Sequence, residues 1–116
     1  MLSLSGPMGG LRMRLGIAIV LIGLGMSAPA VAEPSADRRT QLRDIVAQDC
    51  GSCHGLTRKG GLGSPLLPEV LSQMPAEGLV ETILEGRPGT PMPPWKSMLS
   101  RDDAAWIAAY LMGETK

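Results

Sequence analysis

The run Cys50-Gly51-Ser52-Cys53-His54 brings together the chain's two cysteines and its one histidine. Two thiols separated by two residues can add across the two vinyl groups of one porphyrin edge. An imidazole on the next residue then reaches the iron beneath the same ring, and this is the chemistry of covalent c-type haem attachment. A thioredoxin-like dithiol would need a strand and a helix around it in a βαβ pattern, which the sequence lacks. A structural zinc site is poorer still, because one imidazole and two thiolates leave the tetrahedron incomplete and no second pair exists elsewhere.

A second stretch, Arg87-Pro88-Gly89-Thr90-Pro91-Met92-Pro93-Pro94-Trp95, holds the other candidate ligand. Prolines on both sides keep Met92 in an extended, stiff segment, so its thioether is presented to a metal with little freedom left to lose. Met74, Met98 and Met112 read instead as core fillers. With no second histidine, bis-histidine ligation is excluded, and the alternative to Met92 is an open sixth position. Imidazole plus thioether raises the reduction potential relative to harder ligand sets. Trp95 is expected either to donate its indole N–H to a haem propionate or to cover the porphyrin as core. Arg87 is expected either to pair with a propionate or to stand in solvent. Gly86 and Gly89 supply the backbone freedom of the turn that feeds Met92.

Toward the N-terminus, Arg12 and Arg14 precede an apolar run from Leu15 to Met26, and Ala30-Val31-Ala32 offers small residues for cleavage. This pattern predicts a secretory signal peptide over 1–32, since the run falls short of the ~20 residues a spanning helix needs. Arg38-Arg39 follows the apolar run and is no twin-arginine export signal. Export and haem attachment agree, because haem is ligated to thiols outside the bacterial cytoplasm. The predicted location is the periplasm.

Residues 33–116 make one small domain. They contain no phenylalanine, and their aromatics are Trp95, Trp106 and Tyr110. So small a core needs a staple, and a buried porphyrin is the expected one. The chain without haem is therefore predicted to be largely unfolded. Arg12 and Arg14 lie before residue 33, so this domain carries nine Lys/Arg against eleven Asp/Glu. That balance excludes nucleic acid as an evident partner. Arg58, Lys59, Arg87 and Lys96 fall near the haem segments, and Glu77, Glu81 and Glu85 recur on one helix face; each group reads as solvated surface, with a basic docking rim as the sharper alternative.

The periodicity predicts an all-α domain without strands. A first helix spans about Ala36 to Gln48, with Leu42, Ile45 and Val46 on one face, and leads into Cys50. Gly55 to Leu67 is loop. Pro68 opens a short helix through Leu71 and Met74, and a longer one runs from about Ala76 to Glu85 with Leu79, Val80, Ile83 and Leu84 apolar. Gly86 stops it. Ser100 caps the last helix with Asp103 at the capping-box position, and Trp106, Ile107, Tyr110 and Leu111 form its inward face.

These segments in this order resemble a class I monohaem cytochrome c, over nearly all of residues 33–116. More narrowly, Cys53-His54-Gly55-Leu56, Gly60-Gly61-Leu62-Gly63, Pro75-Ala76-Glu77-Gly78-Leu79-Val80, Ile83-Leu84, Gly86-Arg87-Pro88-Gly89-Thr90 and Met92-Pro93 are similar to the small NirC-type cytochrome c (cytochrome c-55X) of denitrifying bacteria. The resemblance implies a small class I fold, three to four helices wrapped around one covalently attached haem c. It implies Cys50 and Cys53 as thioether attachment points, His54 as the proximal iron ligand and Met92 as the distal one. It also implies a monomeric electron carrier rather than an enzyme, cycling iron between Fe(II) and Fe(III). The implied acceptor is a dissimilatory nitrite reductase or another periplasmic redox protein, and the implied donor a membrane quinol-oxidising complex or another cytochrome. Two readings stand beside it: an accessory factor in maturation of the reductase's special haem, and a small haem enzyme such as a peroxidase, which would need Met92 to leave the iron.

The chain departs from the family pattern in two places. A proline commonly follows the last loop glycine and offers its carbonyl to the proximal imidazole, whereas here Ser64 follows Gly63 and the proline is Pro65, so either carbonyl could serve. The first helix also lacks the glycine and aromatic pair found where terminal helices cross. Leu42 or Val46 against Trp106 or Tyr110 is the expected replacement.

Overall fold

A computed structural model describes residues 32–116 and a few scattered positions before them. The expected cleavable segment over 1–32 lies mostly outside the described residues. Among the described residues the elements are α1 (Ala36–Ile45), α2 (Gly51–His54), α3 (Pro68–Leu71), α4 (Ala76–Glu85) and α5 (Arg101–Leu111), with no strand. The all-α expectation holds.

Ser35 caps α1 by accepting the Arg38 N–H at 3.2 Å. The expected stop near Gln48 is corrected: the helical path widens into a π turn over Val46–Cys50 and then passes into α2. α1 and α2 are therefore one continuous path that carries Cys50, Cys53 and His54 on helical backbone. An extra residue in one turn changes which side chains follow each other along the face, a device often found at functional sites. Here Val46 stays fully buried on the core side while Cys50 turns toward a cleft.

α4 and α5 match their predicted starts. The capping box at the head of α5 is complete, with Ser100 Oγ accepting from Asp103 N–H and Asp103 Oδ2 accepting from Ser100 N–H. Gly86 ends α4 at φ +66. Its successors turn back, so that Trp95 N–H and Lys96 N–H donate to the Ile83 and Leu84 carbonyls at 3.1 and 3.2 Å. The last carbonyls of a helix need such outside partners, and this return supplies them.

The core is a single cluster of Leu42, Val46, Leu79, Val80, Ile83, Leu84, Leu99 and the inner face of α5. Trp106, Ile107 and Leu111 are buried as expected, and Tyr110 is half-buried. The crossing of the terminal helices is filled as predicted by Leu42 and Val46, which share this cluster with Trp106 and Tyr110. Those two rings stack at 5.2 Å, and the Arg43 guanidinium lies 5.3 Å from the Trp106 centroid. Met74 and Met112 pack against the core, but Met98 stands 60% exposed, because the buried position in that turn is taken by Leu99.

Two ionic ties link the helices. Arg38 on α1 makes a forked pair with Asp103 on α5, at 2.7 and 3.2 Å, and its remaining donors reach Gln41 and the Met98 carbonyl. Arg101 on α5 reaches both Glu77 and Glu81 on α4. Neither tie is legible in the periodicity, since each joins residues far apart in the chain.

Candidate haem site

A cleft of about 310 Å³ opens between α2, the loop that follows it and the Gly86–Lys96 return. Cys50, Cys53, His54 and Met92 all line it, joined by Arg87 and Trp95. An adjoining hollow of about 150 Å³ shares Cys50, His54, Ser64, Arg87 and Met92 with the cleft and continues against Leu71, Leu79 and Ile83. All four sequence-predicted site residues thus converge on one space, each of them half-buried.

Burial and the neighbouring Asp49 carboxylate push the Cys50 thiol above its ordinary value. Cys50 and Cys53 form no disulfide with each other.

The imidazole is aimed by the loop behind it. His54 Nδ1 donates to the carbonyl oxygen of Ser64 at 2.6 Å, which fixes the proton on Nδ1 and leaves the Nε2 lone pair for a metal. Ser64 rather than Pro65 is therefore the acceptor. Pro65 restricts Ser64 to extended backbone and so helps hold the carbonyl in place. The loop is closed on the haem-attachment run itself: Gly60 N–H donates to His54 O at 2.9 Å and Gly63 N–H to Cys53 O at 2.7 Å. A Cβ on Gly63 would lie 2.7 Å from the His54 ring, so only glycine lets the loop cover the imidazole this closely.

The methionine segment is built differently. Arg87-Pro88-Gly89-Thr90 is a β-turn closed by Thr90 N–H to Arg87 O at 3.1 Å, with Pro88 second and Gly89 third at φ +78, the type II pattern. Arg87 N–H then donates to Met92 O at 3.2 Å. Gly86 packs against this backbone so closely that a Cβ would lie 2.6 Å from Pro93 C and 2.7 Å from Met92 O. The turn chemistry of Gly86 and Gly89 is as expected.

The remaining candidates divide. Arg87 is exposed at the cleft wall, and Trp95 is half-buried there. Lys96 points instead to Glu85, 2.9 Å away, and the Arg58 guanidinium lies 5.5 Å from the Tyr110 ring. A continuous basic rim around the cleft is thus not formed, because two of its four members are engaged elsewhere. Leu56 and Leu62, not singled out from the sequence, are 78% and 79% exposed on the loop beside the attachment run.

The donor set fits a covalently tethered haem: two thiols on one helical turn, an imidazole with its outer nitrogen oriented, a thioether across the same cleft and mostly apolar walls.

Comparison with known proteins agrees. Residues 37–111 match the family described as cytochrome c oxidase, cbb3-type, subunit III. The chain is 55% identical over 86 residues to cytochrome c55X of Pseudomonas aeruginosa, covering 72% of each chain. It is similar to the solved structure of a c-type cytochrome NirC, with a TM-score of 0.68 and 56% identity over 69% of this chain and 94% of that one. It is also similar to part of dihydro-heme d1 dehydrogenase NirN, with a TM-score of 0.56 and 40% identity over 60% of this chain and 15% of that one. Covalent haem c is the cofactor this family carries, and its members transfer electrons rather than catalyse a reaction. The chain belongs to the NirC-type, cytochrome c55X family of small class I cytochromes c, electron carriers of denitrification.

Proposed function

We propose that the chain is a periplasmic, monomeric electron carrier that donates to a dissimilatory nitrite reductase. Its residues 1–32 are a cleaved signal peptide and residues 33–116 the haem domain. Cys50 and Cys53 would hold the porphyrin through two thioethers, and His54 and Met92 would supply the iron's two protein ligands. The observation that carries this reading is the convergence of these four side chains on one cleft, with the His54 ring oriented by Ser64 O at 2.6 Å.

The bound haem supplies a one-electron couple between Fe(II) and Fe(III). The chain's own residues do the rest. Ser64 holds the imidazole in one tautomer, so the ligand needs no rearrangement when the charge on the metal changes. The proline-bound Met92 would offer the iron a soft donor that favours the reduced state. Leu71, Leu79 and Ile83 exclude water from the inner wall. Leu62 leaves an apolar, exposed border where a redox partner can approach. Upstream, the reading takes a membrane quinol-oxidising complex or another cytochrome as donor.

The test is spectroscopic and kinetic. The ferric, exported protein should show the long-wavelength charge-transfer band of thioether sulfur on iron, and Met92→Ala should abolish it and lower the reduction potential. The reduced protein should then be oxidised rapidly by purified nitrite reductase. Absence of the band in the wild type would overturn the ligand assignment; absence of electron transfer would overturn the donor role.

The likeness to part of dihydro-heme d1 dehydrogenase favours a second reading, service in maturation of the reductase's special haem. A deletion strain separates the two: inactive reductase lacking that haem supports the accessory role, whereas active reductase starved of electrons supports the carrier.

A further inference from the structure

The Thr90 hydroxyl is not claimed by the readings above, and its position is specific. Its Oγ1 donates to the Arg87 carbonyl at 2.7 Å, the same oxygen that accepts the Thr90 N–H at 3.1 Å. The same Oγ1 lies 3.4 Å from the Met92 N–H, close enough for a weak second bond. One side chain therefore spans the β-turn and touches the backbone of the methionine that follows it.

This matters because the segment is poor in other ties. Pro88, Pro91, Pro93 and Pro94 carry no N–H, so few main-chain bonds can form between Gly86 and Trp95. Proline fixes φ at each of these positions and Pro91 confines ψ of Thr90, but both dihedrals of Gly89 and φ of Thr90 stay free. Rotation there would swing Met92 away from the cleft as a unit. Two main-chain bonds, Thr90 N–H to Arg87 O and Arg87 N–H to Met92 O, resist it, and the Thr90 hydroxyl is the side-chain tie added to them.

We propose that Thr90 is a positioning residue for Met92: its hydroxyl staples the Arg87–Met92 turn shut and so holds the thioether at the metal. The proposal rests on Met92 being the distal ligand. Thr90 is exposed, so a change from hydroxyl to methyl disturbs no core packing.

The test uses the haem-loaded, exported protein and free imidazole as a competitor for the position Met92 occupies. Competitor affinity scales with the fraction of molecules in which the methionine is displaced. Thr90→Val, which keeps the shape and loses the donor, is expected to tighten imidazole binding to the ferric protein about fivefold, the equivalent of one ordinary hydrogen bond. Thr90→Ser, which restores the hydroxyl, should return it to the wild-type value. Because the bond is lost from the folded state itself, the Thr90→Val denaturation midpoint should fall by no more than the equivalent of that same fivefold change, and Thr90→Ser should restore it. Equal imidazole affinity in wild type and Thr90→Val would overturn the proposal, as would equal shifts in Val and Ser variants. A fall in global stability several times larger than the gain in imidazole binding would also overturn it, since the change would then not be confined to the turn. A wild-type ferric spectrum without the sulfur band would instead remove the ligand assignment beneath it.

Discussion

The segment carrying His54 and the segment carrying Met92 reach the same cleft by opposite routes. From Cys53 to Leu66 order is made by hydrogen bonds: the loop donates to the carbonyls of Cys53, His54 and Gly55, and the imidazole donates back to Ser64. From Gly86 to Lys96 it is made by covalent restraint, four prolines whose φ is set before the chain folds. Constraint of the second kind lowers the entropy of the unfolded chain and so costs less to order. The histidine side gains its geometry only when the whole network forms. The methionine side is stiff in advance and needs only a few ties to fix its direction.

The most disruptive way to probe this contrast is to remove the group that both segments embrace. A double change, Cys50→Ala with Cys53→Ala, leaves no tether, and the group expected to fill the cleft of about 310 Å³ and staple so small a core is lost with it. Far-ultraviolet circular dichroism should show most helicity gone, while the proline segment keeps the extended signature it has without the fold. Native helicity in this variant would break the argument that the histidine side depends on the filled site.

Each segment also has one glycine that cannot take a side chain, and the two should fail differently. Gly86→Ala meets backbone atoms of Met92 and Pro93 and adds a Cβ at φ +66. It is expected to cost about 3 kcal/mol in global stability and to release the sulfur ligand. Gly63→Ala meets the His54 ring at 2.7 Å. Its cost should be smaller, about 2 kcal/mol, and it should show first as an altered haem spectrum, because the ring must tilt away from Ser64. Denaturation followed by circular dichroism and by the haem band separates the two outcomes. If Gly63→Ala proved the more destabilising, the histidine loop would be the stiffer of the pair.

What could be read from the sequence follows the same division. Cys50, Cys53, His54 and Met92 stand out as candidates because local chemistry dictates their spacing or their proline frame, and the fold brings all four to one cleft. The end of α4 was legible from Gly86 and the start of α5 from the Ser100–Asp103 box, both local signals. The first helix was predicted to end near Gln48, yet it runs on through a π turn, because tertiary packing of Val46 and exposure of Cys50 to the cleft decide its course. The Ser64 acceptor could not be separated from Pro65, since both offer the same carbonyl and only the loop's path chooses between them. Met98 looked like core, and Leu99 took that place because the turn before α5 points just one of them inward. Arg38–Asp103 and Arg101–Glu77 were invisible for a simpler reason: no local pattern encodes a partner on another helix.

Those two ionic ties extend the comparison outward, for Arg38 braces the helix that leads to Cys50 and Arg101 braces the helix that leads to Gly86. The Asp103 carboxyl is held below its usual value, chiefly by the hydrogen bond from Arg38, with desolvation opposing and Ser100 adding to the effect. A lowered folded value means that the pair stabilises above the unfolded carboxylate value of about 3.9 and fades as pH falls through the folded one. Asp103→Asn should therefore lower stability near neutral pH by about 1 kcal/mol, a modest figure because Arg38 is partly in water. The gap to wild type should narrow once the pH drops below about 4. A gap that stays constant down to pH about 2 would mean that the capping geometry, not the charge, is what Asp103 contributes.

The smallest effect is expected on the methionine side. Arg101 is 55% exposed and its partners Glu77 and Glu81 are 72% and 48% exposed, so solvent screens both contacts and long side chains lose freedom in making them. Arg101→Ala should melt with the wild type, at low salt and at high salt alike, and leave the sulfur band unchanged. Geometry alone does not separate this clamp from the Arg38 latch, since both are forked arginine contacts between helices; burial does, because Asp103 is 11% exposed. If Arg101→Ala nevertheless loosened Met92 in the imidazole competition, the stiffness assigned to four prolines would in fact be borne by the helix they leave, and the two sides of the cleft would be held by the same means.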